Sequence, residues 1–161
     1  MATTAEILER KFDNVFHGQP WYGRNIFDII SDVTFETAYE KPAGAAHTIL
    51  EILLHMLSWT QEVTARLGGK FAGTPEGDDW PKAGKPDEAR LPQVINDLKL
   101  ANVNLVKAIH ELPDEKWQQL INDERDEEPV ATYEGLVDGF IQHQVYHAGQ
   151  IAILNRMLGG R

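Results

Sequence analysis

Apolar positions along this chain recur at spacings of three and four, and no stretch sustains a two-residue alternation, so the pattern predicts helices and no sheet. The first expected helix runs from about Thr4 to His17, with Leu8, Phe12 and Val15 on one face, and stops at the His-Gly-Gln-Pro of residues 17–20. A short helical piece at about Asn25 to Ser31 leads through TFETAYEKPAGAA to a long helix from about His47 to Leu67, closed by Gly68 and Gly69. The stretch FAGTPEGDDWPKAGKPDEA (71–89), rich in Gly, Pro and Asp, reads as a long loop, of a length that is often functional in compact domains. A further helix spans about Asp87 to Glu111 and ends before Pro113. After the turn DEKWQQL and the acidic connection NDERDEEP (122–129), Thr132 stands as N-cap of a last helix that runs to about Leu158. Four long amphipathic helices with loops between them predict an all-α fold, an antiparallel four-helix bundle, in a single domain over 1–161.

The last helix carries an anomaly. Tyr133, Leu136, Phe140, His143, His147, Gln150, Leu154 and Met157 fall on one seam, which sets two imidazoles in the middle of an inward stripe. Histidines at i and i+4 lie on one side of a helix, close enough for both rings to reach one ion. His55, in HTILEILLHMLSWT with Ile52 and Trp59 on its face, is the candidate third ligand from another helix. Three neutral imidazoles would leave a divalent ion with open positions for water or substrate. The pattern alone leaves the alternative open, in which all three are core histidines satisfied by Gln150, Glu51 or backbone.

Composition narrows the chemistry. The 161 residues include no cysteine, which removes disulfides, thiolate ligands and a cysteine nucleophile, so a metal must be held by His, Asp or Glu. A formal charge of −10 with no Lys/Arg cluster argues against nucleic acid and against an anionic membrane as partners. The chain has no apolar run of membrane-spanning length, and MATTAEILERKF lacks the apolar centre of a signal peptide, which makes a cytoplasmic location the expectation. NDERDEEP lacks the spaced oxygen ligands and turn glycine of a calcium loop and reads as a solvated connection. Phosphate-loop, dinucleotide and nucleophile-elbow motifs are absent, and the Glu-x-x-His pairs of di-iron bundles are missing, since Glu51 precedes His55 by four residues.

Around the histidines, Glu51 is a candidate to orient His55 or to act as general base, and Gln150 a candidate support for His147. Trp59 on the His55 face, Trp21 in its loop and Asn102 in the seam of Leu91, Ile95, Leu98, Leu105, Ile109 and Leu112 are candidate pocket residues. Trp80 also sits in a loop from which it could roof a pocket. A capping or surface role is expected for His47, and helix-end positions for His17 and His110.

With GQPWYGRNIFDII (18–30), AHTILEILLHMLSW (46–59) and HQVYHAGQIAIL (143–154) in this order and spacing, the chain resembles the DinB/YfiT-like superfamily. The His-x-x-Tyr-His-x-Gly-Gln-Ile of the last stretch is the most specific part. The resemblance implies a four-helix metal-binding protein whose ligands, carried over residue by residue, are His55, His143 and His147. It further implies one divalent ion, nickel or zinc, and a homodimer formed by helix packing. Activity of thiol-transferase or isomerase type with a low-molecular-weight thiol, or hydrolysis, would then act on a small-molecule substrate. A metal-binding stress-response or ligand-binding protein without turnover is the alternative that the resemblance leaves open.

Overall fold

The computed structural model describes residues 1–125 and 131–160. Among the described residues the chain is all-helical: α1 (Thr4–Phe16), α2 (Ile26–Ser31), α3 (Phe35–Tyr39), α4 (Ile49–Leu67), α5 (Arg90–Glu111) and α6 (Tyr133–Met157), with one 3-10 turn at Asp114–Lys116. No described helix is long and apolar enough to cross a membrane. Part of the acidic connection, residues 126–130, lies outside the described residues, so the reading of NDERDEEP is met only at 122–125.

Helix starts follow local chemistry. Thr3 with Glu6 and Thr48 with Glu51 form reciprocal capping boxes on α1 and α4, and Thr132 Oγ1 accepts from Gly135 N to open α6 as its sequence suggested. Each such cap satisfies an orphan backbone donor and contributes about 1 kcal/mol. Helix α3 is a departure from the expected connection: Thr34 and Thr37 cap it reciprocally, and Thr37 and Ala38 are buried. Helix α4 stops at Gly68 and Gly69, where the positive φ of Gly69 (99°) needs a residue without Cβ strain.

Helix α4 is buried on nearly every side, with Ile49, Leu50, Leu53 and Met56 inaccessible, because it packs on α5, α6 and α3. Helix α1 packs on α5, α6 and α2, and α2 also packs on α6, so the apolar faces close around one core. Each large apolar side chain removed from water there contributes roughly 1.5–3 kcal/mol before the entropy of ordering is subtracted.

The seam expected on α6 holds in part: Tyr133, Phe140 and His147 are buried, Leu136, His143, Gln150 and Leu154 lie at the margin, and Met157 is 60% exposed, while Val137, Ile141, Gln144, Ala148, Ile151 and Asn155 complete the buried face. Gln144, 0% exposed, takes the central position assigned to the histidines. The reason is that a seam of alternating threes and fours repeats every 3.5 residues while α6 keeps a 3.6-residue turn, so over 25 residues it drifts off the core.

The 71–89 loop lies on α4. Ser58 Oγ donates to Asp78 O at 2.6 Å, and Trp59 Nε1 donates to Asp79 Oδ1 at 2.7 Å. Asp78 turns the chain there with a φ of 79°, in the left-handed region that Asp tolerates better than most residues. The loop thereby brings Asp79 and Trp80 onto the middle of α4.

Candidate metal centre

Helices α4 and α6 bring His55, His143 and His147 together. His143 Nε2 lies 3.1 Å from His55 Nε2 and 3.1 Å from His147 Nε2. One ligating atom from each of the three lies within 4.8 Å of the others. Among the described residues this is the group of His, Asp and Glu side chains with the geometry to hold a metal ion.

The remaining ring nitrogens fix which atoms face inward. His55 Nδ1 is 2.5 Å from the carbonyl oxygen of Asp79, which can only accept, so Nδ1 carries the proton and Nε2 presents a lone pair. His147 Nδ1 lies 2.6 Å from Gln150 Oε1, and the same logic leaves its Nε2 a lone pair. His143 Nε2 can offer one proton to one of these two acceptors, never to both. A neutral triad therefore leaves lone pairs facing one another, and His143 Nδ1 is buried with no hydrogen-bond partner.

A cation resolves that conflict. Tetrahedral ligation at a bond length near 2.05 Å separates ligand nitrogens by about 3.3 Å, close to the spacing of these rings. Burial holds all three imidazoles below the usual histidine range, His143 down to about 4, with the neighbouring imidazoles adding repulsion. At neutral pH the rings are uncharged, the protonation state in which imidazole ligates metal. The donor set and its protonation fit a divalent ion.

Aromatic rings wall the site. Trp80 stacks on His55 with ring centroids 3.8 Å apart and planes 6° apart, and its other face stacks on His47 at 3.6 Å. Its edge lies against His147, 5.7 Å between centroids. His47, expected at a helix start, does precede the Thr48 cap, and it also backs this stack. Trp80, expected in a loop from which it could roof a pocket, lies against two of the histidines, whereas Asp79 has no residue pattern that ties it to a helix twenty positions earlier.

The other candidates fall in different places. Gln150 meets His147. Glu51 is turned away from His55: its carboxylate accepts from Thr48 N at 3.2 Å and lies 3.7 Å from His47 Nδ1. The support expected from Glu51 comes instead from the Asp79 backbone. Trp59 does border the cavity next to His55 and His143. Trp21 does not; it is 102% exposed, because the loop before α2 carries it outward. Asn102 is 4% exposed but borders a separate cavity between α1 and α5, with neither amide atom hydrogen-bonded. His17 caps the C-terminal end of α1, and His110 meets Glu9 at 2.7 Å near the end of α5.

No curated protein and no solved structure matches the chain. A family model does, over residues 23–151, a span that holds all three histidines together with the loop that supports them. The chain belongs to the DinB superfamily.

Proposed function

We propose that the chain holds one divalent ion, nickel or zinc, through Nε2 of His55, His143 and His147 and works as a metal-dependent enzyme of thiol-transferase or hydrolase type. The observation that carries the reading is the convergence of three Nε2 atoms at 3.1 Å contacts while two of the Nδ1 atoms are tied to acceptors. The bound ion would supply Lewis acidity, making a water or a low-molecular-weight thiol a nucleophile near neutral pH. Asp79 O and Gln150 Oε1 hold two of the rings in orientation, and Trp80 keeps water from one side of the cluster. Asp79 is the carboxylate among the described residues that borders the adjoining cavity, with its Oδ1 3.4 Å from His55 Nδ1, so it rather than Glu51 is positioned to accept a proton from a small-molecule substrate. That cavity, about 630 Å³ and bordered by His55 and His143, favours turnover over a closed binding site.

Cobalt substitution tests the enzyme reading. Cobalt-loaded protein should develop a sulfur-to-metal charge-transfer band on addition of mercaptoethanol. A spectrum indifferent to thiol and to water exchange would favour a closed metal-binding protein without turnover.

The same proposal takes the protein as a cytoplasmic, single-domain antiparallel four-helix bundle, supported by the pairwise packing of α1, α4, α5 and α6. The net charge of −10 opposes nucleic acid as a partner. A homodimer is supported by exposed Tyr146, Ile153 and Met157, spaced by seven and four on one side of α6, with Tyr22 across a shallow groove. Ile153→Glu should then yield monomer in light scattering where the parent yields dimer; a parent that is monomeric at micromolar concentration would remove the dimer from the account.

A further inference from the structure

The cavity beside the histidines has a shape and a polarity. From the His55–His143 contact, α4 continues through Trp59 and Val63 to Arg66, while α6 runs back through Phe140 and Gly139 to Gly135, and all of these border the same cavity. At 1.5 Å of rise per residue, the walls extend about 16 Å along α4 and about 12 Å along α6, so the space is a trough. Its floor is low on α6 because Gly135 and Gly139 carry no side chain. A Cβ placed on Gly139 would meet nothing within 4 Å, so the space above that residue is open. A glycine inside an exposed helix costs about 1 kcal/mol against alanine, which makes Gly139 expensive unless the room is used.

The ends differ in charge. Asp79 borders the trough by the histidines and would repel an anion there. Arg66 borders the other end and is 6% exposed, fixed by Nε donating to Glu62 Oε1 at 2.8 Å and Nη2 donating to Gly73 O at 2.6 Å. Lys70 shares the same Glu62 carboxylate, and Arg125, paired with Asp123, borders the same cavity, so among the described residues three cations meet the two carboxylates of Glu62 and Asp123 there. Trp59 lies 5.3 Å under the guanidinium. Arg66 Nη1 is used by neither the Glu62 nor the Gly73 bond.

We infer that the substrate of this site is an elongated molecule: an apolar body lying over Gly135 and Gly139, its reacting group at the three histidines, and a carboxylate at Arg66. The orientation rests on the metal-centre reading above; the trough and its Arg66 end do not.

Isothermal titration of chelator-treated protein with octanoate, octanol and acetate separates the two. Octanoate should bind and acetate should not, since an acid without a chain cannot fill the trough. Gly139→Leu should weaken octanoate by about tenfold or more, the loss of two or more buried methylenes at roughly fourfold each. The same variant should match the parent in thermal midpoint and metal content, because leucine favours the helix and meets open space. Arg66→Lys, which keeps a cation beside Glu62, should weaken octanoate by about tenfold, the worth of one charge-assisted hydrogen bond, and leave octanol unchanged. Equal affinity for octanoate and acetate, or unchanged octanoate binding in Gly139→Leu, would overturn the trough. A parent that binds octanoate but takes up no zinc or nickel when these are returned would overturn the metal-centre reading alone.

Discussion

At the residue scale, Glu51 and Gln150 both stand one helical turn from a histidine, yet only Gln150 supports one. Side chains on a helix lean toward its N-terminus, so Gln150, three positions after His147, leans back over that ring. Glu51, four positions before His55, leans the other way, onto the free N–H groups at the start of α4, where its charge is favoured. Gln150→Leu should therefore weaken zinc binding by roughly 10–100-fold, as loss of a hydrogen bond to a ligating imidazole does. Glu51→Gln should bind zinc as the parent does and lose at most about 1 kcal/mol of stability, because glutamine keeps the capping box but not the charge favoured at the helix start. Competition titration with a chromophoric chelator checks both; an equal loss in the two variants would contradict this assignment. The histidines themselves were legible in the sequence by spacing. Asp79 was not, and Trp80 only as a loop residue able to roof a pocket, because a long loop has no periodicity from which its resting place on α4 can be read.

At the element scale, the helices were legible from apolar spacing, the Thr132 cap and the glycine stop at Gly68 and Gly69, while the capping boxes at Thr3 and Thr48 came only with the structure. Which side of α6 turns inward was less legible. An amphipathic pattern identifies a face only when the helix meets neighbours on one side, and α6 meets α1, α2 and α4. The result is the buried Gln144, whose Nε2 reaches Met56 O at 3.4 Å while its Oε1 has no partner. An unsatisfied buried acceptor costs about 1–3 kcal/mol, so Gln144→Met, near in volume and free of polar atoms, should raise stability by about 1 kcal/mol. Urea denaturation measures this; a lower midpoint would assign Gln144 a bond that its Oε1 makes in solution. Helix α3 escaped the sequence reading because five residues carry too little periodicity, and only the paired threonines mark it.

At the scale of the whole molecule, the sequence and the structure meet in one arrangement. Helix α4, buried almost all round, fixes the depth of His55, while on α6 His147 is buried and His143 lies at the edge of the buried face. His143, at that edge, borders the cavity together with the buried His55. Trp80 covers one side and the trough opens on another. The absence of cysteine from all 161 residues leaves imidazole as the strongest metal donor the chain has, and the three that converge are the three whose protonation burial opposes.

The central claim is tested by elemental analysis of protein purified without a metal-chelating tag, beside His55→Ala and His147→Ala. The account predicts about one nickel or zinc ion per chain in the parent and none in either variant, with both variants still helical by circular dichroism. A parent that takes up no divalent ion even after incubation with zinc and nickel would contradict it.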